Sequence, residues 1–321
     1  MRKDLLLILN PLAGKGQGKN RLYEMAELFT QAGYTVLVHP TRGKGDAAEA
    51  AKGVGGRCAV VVCCGGDGTL NETVNGLMEL TRRPRLGYIP AGTTNDLATS
   101  LKLSRKWNEA ARTVVGGTSF DYDIGRFGNR YFTYIAAFGA FTEVSYTAPQ
   151  TAKNVFGRLA YVLEGVKHLG NIHPVHMTVA HDSDRFEGEF IFGAVTNSTS
   201  VAGFKGYPTP DVLLDDGCFE ALFIKQPRSP ADLQRIIGAL RRQTYDEQWM
   251  HYFHTSRLEA EGSAPVPWTL DGEYGGQKSH VVIENCRKAL RILVDPAFRD
   301  THKCKNAAAR KNGPQAPKAE N

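Results

Sequence analysis

The stretch Gly65-Gly66-Asp67-Gly68-Thr69-Leu70-Asn71-Glu72 decides how this sequence reads. An apolar run, 59–64, precedes it, as expected of a strand buried on both faces. Three glycines let main-chain N–H groups approach an anion without Cβ interference. Thr69 and Glu72 have capping-box spacing, which predicts a helix whose positive end faces the loop. Asp67, between glycines, is placed to hold a magnesium ion through water. The bland alternative is a tight strand-to-helix turn with Asp67 solvated, but such a turn does not need three glycines.

Two further loops repeat the form. Asn10-Pro11-Leu12-Ala13-Gly14-Lys15-Gly16-Gln17-Gly18-Lys19 follows an apolar run at 5–9. It resembles a Walker A loop, but the spacing from Gly14 to Gly18 is one residue short and Asn20 stands where Ser or Thr is needed. Alone it is a weak phosphate signal. Pro90-Ala91-Gly92-Thr93-Thr94-Asn95-Asp96 follows a strand-like 86–89, with Thr93 and Asp96 at capping-box spacing. Taken singly it reads as a helix cap. In an α/β sheet all three loops fall at the carboxyl ends of strands, where ligands bind.

Around these loops, strand-like and helix-like segments alternate over the first ~125 residues, the pattern of βαβ units. Strands are predicted at 5–9, 35–39, 59–64 and 86–89, and helices at 21–32, 46–52 with Asp46 as N-cap, 69–79 and 94–101. Beyond residue 125 strands dominate, at 130–141, 175–180, 185–196, 218–225, 256–261 and 281–286, with helices at 157–169 and 230–242. The predicted fold class is α/β plus β: an N-terminal α/β domain with a parallel sheet and a C-terminal, mainly antiparallel β-sandwich.

The 321 residues are 42% hydrophobic and 22% charged, the composition of a globular protein rather than a disordered one. No apolar run is long enough to span a bilayer, and Asn10-Pro11 cuts the N-terminal apolar run too short for a signal peptide. A cytoplasmic protein is expected. The six cysteines show no CxxC pair and no zinc spacing, so they read as reduced thiols. The net charge of +6 owes part to a basic tail at 303–321, expected to be disordered. Basic tails contact anionic lipid or nucleic acid, but a solvated tail explains the composition equally well. No nucleic-acid recognition motif or aromatic platform accompanies it.

The three loops, with Leu214-Asp215-Asp216-Gly217-Cys218-Phe219-Glu220 and Leu270-Asp271-Gly272-Glu273, resemble the bacterial diacylglycerol kinase family of soluble lipid kinases. That family shares its catalytic domain with eukaryotic diacylglycerol, sphingosine and ceramide kinases. The resemblance runs over about residues 3–297. It implies a phosphofructokinase-like α/β domain at 1–125, rejoined by 290–302, and a β-rich lipid- and metal-binding domain at 126–289, with the active site between them.

The resemblance also implies a set of site residues. Nucleotide would bind at Asn10, Gly14, Thr41, Gly65, Gly66, Asp67, Gly68, Thr69, Leu70, Asn71 and Thr93. Glu273 and Asp271 would be the catalytic pair, with Glu273 as base and Asp271 orienting or sharing the proton, or the reverse. Read without the family, Asp-Gly-Glu is a surface turn. Lys15 would meet phosphate, with Arg21 nearby in a looser register. Asp216, with main-chain oxygens of Leu213 and Cys218, would hold a structural Mg2+; read alone, Asp215-Asp216-Gly217 is a β-turn.

The implied reaction is ATP-dependent phosphorylation of a lipid hydroxyl, most simply diacylglycerol to phosphatidic acid. Mg2+ would accompany ATP, and the protein would touch the inner face of the membrane peripherally. Residues 156–169 carry an apolar stripe that could touch a membrane, though it reads more readily as a core-packed helix. A homodimer is among the assemblies the resemblance allows, and nucleic acid is not a partner. Two rivals stay open: a kinase of another acceptor, NAD above all, and an inactive nucleotide-binding regulator.

Overall fold

The computed structural model describes residues 3–16, 21–139, 173–182, 184–198, 200–201, 204–205, 212–242 and 244–302. The predicted helix at 157–169 and the tail at 303–321 lie outside the described residues.

The alternating part comes first. Strands β1 (Lys3–Leu9), β2 (Tyr34–Pro40), β3 (Val60–Gly65) and β4 (Arg85–Pro90) are separated by helices α1 (Leu22–Gln31), α2 (Asp46–Val54) and α3 (Asp67–Met78). All four strands are parallel, in the order β4-β3-β1-β2. Strand alternation sorts β1 between two cores. Leu5, Leu7 and Leu9 pack with Met25 and Phe29 on one side, while Leu6 and Ile8 pack with Ala47, Ala51 and Val74 on the other. Both faces are therefore covered by helices, which is why β3 reads as an unbroken apolar run, Val-Val-Val-Cys-Cys.

Next come α4 (Asp96–Ser100), α5 (Trp107–Gly116) and three antiparallel strands, β5 (Thr118–Phe127), β6 (Arg130–Phe132) and β7 (Ile135–Gly139). They lead to β8 (Val175–His181), β9 (Asp184–Thr196), the short pair β10 (Ser200–Val201) and β11 (Phe204–Lys205), and β12 (Phe219–Lys225). Helix α6 (Pro230–Arg242) then precedes β13 (Met250–Thr255), β14 (Arg257–Leu270) and β15 (Glu273–Val294). Strands β7 and β8 each pair with both β9 and β14, so the antiparallel region curls round on itself. Inside the curl lies an aromatic core containing Phe138, Phe190, Phe223 and Trp268. Helix α6 covers the outside through Leu233, Ile236 and Leu240.

Hydrogen bonding joins the two regions into one 13-stranded sheet. The join is β15, 22 residues long. Its first part pairs with β14, its second with β5, and Ile292 pairs in parallel with Leu86 of β4.

Three local expectations are corrected. Asp46 is not an N-cap; Gly45 holds that place with φ +86°, and the Asp46 carboxylate accepts from the Arg42 amide at 2.7 Å and contacts His39 Nε2 at 3.1 Å. Neither predicted capping box forms. Helix α3 begins at Asp67 behind Gly66, with no side-chain cap, and α4 begins at Asp96 behind Asn95, at φ 52°. Thr69 and Glu72 take partners from other loops instead, because the helix already starts at Asp67 and leaves Thr69 inside it rather than at its cap.

Candidate active site

The loops after β1, β3 and β4 interlock at one end of the parallel sheet. The Asn10 amide holds the first to the second: its Nδ2 donates to Thr69 Oγ1 at 3.0 Å, and its Oδ1 accepts from the Leu12 amide at 3.0 Å. Asp67 holds the second to the third, accepting from the amides of Asn95 at 2.8 Å and Asp96 at 3.0 Å. Burial pushes the Asp67 carboxyl above its ordinary value against the pull of those amides, and the charge on Asp271 adds to the rise. Close approach requires glycine here. A Cβ on Gly92 would sit 2.6 Å from the Gly66 Cα.

The loop after β2 supplies the side wall. Thr41 is fixed by its amide on the Leu9 carbonyl at 2.8 Å. The Gly45 amide donates to Glu72 Oε1 at 2.8 Å, which ties this loop to α3. The opposite wall is the β14–β15 hairpin. Asp271 and Gly272 form its two-residue turn, with φ of 51° and 84°, the signs of a type I′ turn. Leu270 and Glu273 face each other across it.

Asp271 and Glu273 have different surroundings. Asp271 is 4% exposed. Its Oδ2 accepts from Asn71 Nδ2 at 2.7 Å, the Thr133 amide at 2.7 Å and the Thr133 hydroxyl at 2.8 Å. Its Oδ1 accepts from the amides of Tyr134 at 2.9 Å and Ile135 at 3.1 Å. Burial raises its carboxyl above the ordinary value, and these donors oppose the rise. Glu273 stands half exposed, with Lys44 Nζ 3.3 Å from its Oε2. A Cβ on Gly68 would lie 3.5 Å from Glu273 Oε1, so the carboxylate faces the glycine loop directly.

Between these walls lies a cleft of ≈ 320 Å³. Of the sequence-predicted residues, Asn10, Thr41, Gly68, Thr69, Asn71 and Glu273 line it. Gly65, Gly66 and Asp67 stand behind, holding the loops. Gly14, at φ 57°, abuts Ala91 of the third loop. Leu70 is a core residue, 1% exposed, with its amide on the Gly66 carbonyl. Thr93 is exposed and does not line the cleft. Lys15 belongs to a 3-10 turn, Ala13–Gly16, and its side chain lies outside what is described. Arg21 pairs with Glu24 at 2.8 Å and lies over the Trp107 ring, away from the cleft.

Three cations lining the cleft, Arg42, Lys44 and Arg130, escaped sequence reasoning. Arg42 and Lys44 had a visible signal, the glycine-flanked basic segment Arg42-Gly43-Lys44-Gly45. Arg130 had none, since it stands just past the β5–β6 turn and is aimed by its bond to the Tyr274 carbonyl, 2.8 Å away and distant in sequence.

The predicted metal residues lie beyond the cleft. Asp216 Oδ1 accepts from the Cys218 amide at 2.9 Å, and partial desolvation holds the carboxyl of this otherwise exposed residue above its ordinary value. The Cys218 carbonyl already accepts from Asn285 Nδ2 at 3.2 Å. No cluster of three or more His, Cys, Asp and Glu side chains forms among the described residues, so a cation here would depend on main-chain oxygens and water. One observation favours it. Glu220, 5% exposed, leaves Oε2 without a partner, and the Asp216 charge adds to burial in raising its carboxyl. An oxygen-only set of this kind suits a hard divalent cation.

A diacylglycerol kinase of Bacillus subtilis (strain 168) is 38% identical over 276 residues, 85% of this chain and 91% of that protein. A diacylglycerol kinase of Staphylococcus aureus (strain MRSA252) is 35% identical over 279 residues, 86% of this chain and 88% of that one. In fold, the crystal structure of a diacylglycerol kinase from Bacillus anthracis str. Sterne superposes with a TM-score of 0.72 at 21% identity, covering 92% of this chain and 98% of that one. An NAD kinase from Archaeoglobus fulgidus, solved with ATP, superposes with a TM-score of 0.54 at 12% identity, covering 95% and 99%. Residues 4–127, which carry the three interlocked loops, match the diacylglycerol kinase catalytic domain, and with relatives this similar over most of its length the chain belongs to that family.

Proposed function

We propose that the protein is an ATP-dependent diacylglycerol kinase, transferring the γ-phosphoryl group to a lipid hydroxyl to give phosphatidic acid. The observation that carries this is Glu273, a solvent-reachable carboxylate facing Gly68 and Thr69 across the cleft, where an acceptor hydroxyl and a nucleotide meet. Identity of 38% to a diacylglycerol kinase over 85% of the chain favours the lipid acceptor. In this assignment residues 1–125, with the returning end of β15, take the nucleotide, and the β-rich region at 126–289 presents the lipid.

The step is an in-line displacement. As the acceptor oxygen bonds to the γ-phosphorus, its proton passes to Glu273, and the bond to the β-phosphate oxygen breaks to release ADP. Asp271 is the weaker candidate for base, because both its oxygens are engaged by donors. It acts instead as a positioning residue, fixing Asn71 and the turn that carries Glu273. Lys44 and Arg130 bring positive charge to the phosphate side. A divalent cation, for which magnesium is our assignment, would offset phosphate charge when bound. Asp67, behind the cleft with its two oxygens on the Asn95 and Asp96 amides, would reach it only through water. Asp216, with Leu213 and Cys218 main-chain oxygens, would hold a second.

No helix among the described residues is long and apolar enough to cross a membrane. The acceptor's acyl chains stay in a bilayer, so the proposal includes peripheral contact with the inner membrane face. The test is transfer from labelled ATP to diacylglycerol in mixed micelles, with NAD offered separately. Labelled phosphatidic acid that disappears in Glu273→Ala is the expected result. Labelling of NAD alone would sink the assignment.

A further inference from the structure

Away from the cleft, and sharing no lining residue with it, an open groove of ≈ 640 Å³ runs beside β15. Its chemistry is one-sided. Arg83, Arg126, Arg257, Arg287 and Lys288 line it, and among the described residues Glu284 is the one carboxylate in its lining. A bulge creates the site: β15 slips register against β5 between Cys286 and Leu290, and Lys288 takes φ 52° with its amide on Asp123 Oδ1 at 2.6 Å. Arg287 and Lys288 are both exposed there.

The charges do not cancel. Glu284 is held by Arg126 and lies 3.5 Å from Arg257, which also pairs with Glu259 at 3.0 Å. Among the described residues Lys288 has only Asp215, at 3.9 Å. Arg83 and Arg287 have no carboxylate within ion-pair distance among the described residues. Arg83 is nonetheless fixed in place, donating from Nη1 to the Ala289 carbonyl at 3.3 Å and from Nη2 to the Met78 carbonyl at 3.2 Å. Its Nε is buried with no acceptor. A guanidinium held in place beside further uncompensated cations gives the groove a positive potential that a bound anion offsets.

We propose that this groove binds a phosphomonoester. Two guanidinium charges without carboxylate partners match a dianion, and a phosphomonoester carries about −1.5 to −2 near neutral pH. The planar fork of arginine suits phosphate oxygens in pairs. The ligand is a lipid headgroup or a soluble phosphate, and the binding does not depend on the kinase assignment.

Full-length protein is titrated with inorganic phosphate by calorimetry. It is separately pelleted with phosphatidylcholine vesicles carrying phosphatidic acid, or phosphatidylglycerol at matched charge. Arg287→Glu and Lys288→Glu, both exposed at the bulge, are compared with wild type, and thermal melts check their folding. Losing one charge-assisted contact should weaken binding about tenfold or more. A loss on phosphatidic acid vesicles alone assigns a lipid headgroup, and a loss on inorganic phosphate assigns a soluble phosphate. Wild-type binding in both folded variants, or equal retention by the two anionic vesicles with no loss on inorganic phosphate, overturns the proposal.

Discussion

The Asn71 side chain donates to Asp271 Oδ2 over 2.7 Å, although the two residues lie 200 positions apart. This buried bond ties the first turns of α3 to the hairpin that carries Glu273. Asn71 also donates to the Tyr131 carbonyl at 3.1 Å, so one amide links three segments. Asp271→Asn would point an NH2 group into a ring of donors, leaving buried N–H groups unpaired. The expected cost is about 3 kcal/mol in urea unfolding, with loss of activity alongside it. An unchanged unfolding midpoint would separate Asp271 from the turn it is argued to hold.

Glu273 should behave in the opposite way. Its carboxylate is 47% exposed and bonded only to Lys44 among the described residues. Glu273→Gln keeps the shape and removes the proton acceptor. Turnover should fall roughly 10²–10⁴-fold, with the melting temperature and the KM for ATP near wild type. A variant that retained turnover would remove Glu273 as base.

These two carboxylates show what the sequence discloses and what it conceals. The three loops were legible because glycine, threonine and aspartate follow apolar runs, a local pattern. The Asp-Gly turn was legible as a turn, but the donors that bury Asp271 come from residues 133–135, far along the chain. Helix α5 escaped notice because its buried face is only Ala110, Ala111 and Val114, too small to stand out among polar neighbours. Strand β5 was hidden by a buried charge, Asp123, which accepts from the amides of Gly217 and Lys288. Capping-box spacing at Thr69 and Glu72 misled, because Asn10 and Gly45 compete for the same oxygens.

Gly76 offers a test in which local and tertiary preferences disagree. Alanine favours a helix interior by about 1 kcal/mol over glycine. In α3, however, a Cβ at this position would meet the Ala48 carbonyl oxygen at 2.2 Å, where α2 packs closely. Gly76→Ala should therefore destabilise the protein by roughly 1–3 kcal/mol. Chemical denaturation measures it, and a stabilised variant would mean that the two helices separate freely.

Acid sensitivity should be traceable to His251. Burial, helped by the nearby Lys225 charge, lowers its imidazole to about 4, and its ring stacks on Phe186 at 4.2 Å. The folded state then binds fewer protons than the unfolded chain between about 6.5 and about 4. Acidification through that window favours unfolding, by at most roughly 3 kcal/mol for this group. His251→Phe should lessen the loss of stability between pH 7 and pH 5, read as the shift in urea midpoint. A wild-type pH slope in the variant would assign the effect to other groups.

Strand β15 sets a timetable for synthesis. Phe120 of β5 pairs with Ile292, and Leu86 of β4 pairs with the same residue. As the chain leaves the ribosome, these edges of β4 and β5 stay unpaired until β15 has emerged. A nascent chain stalled before residue 290 should therefore bind chaperones and yield to protease, and protection should arrive once β15 has emerged.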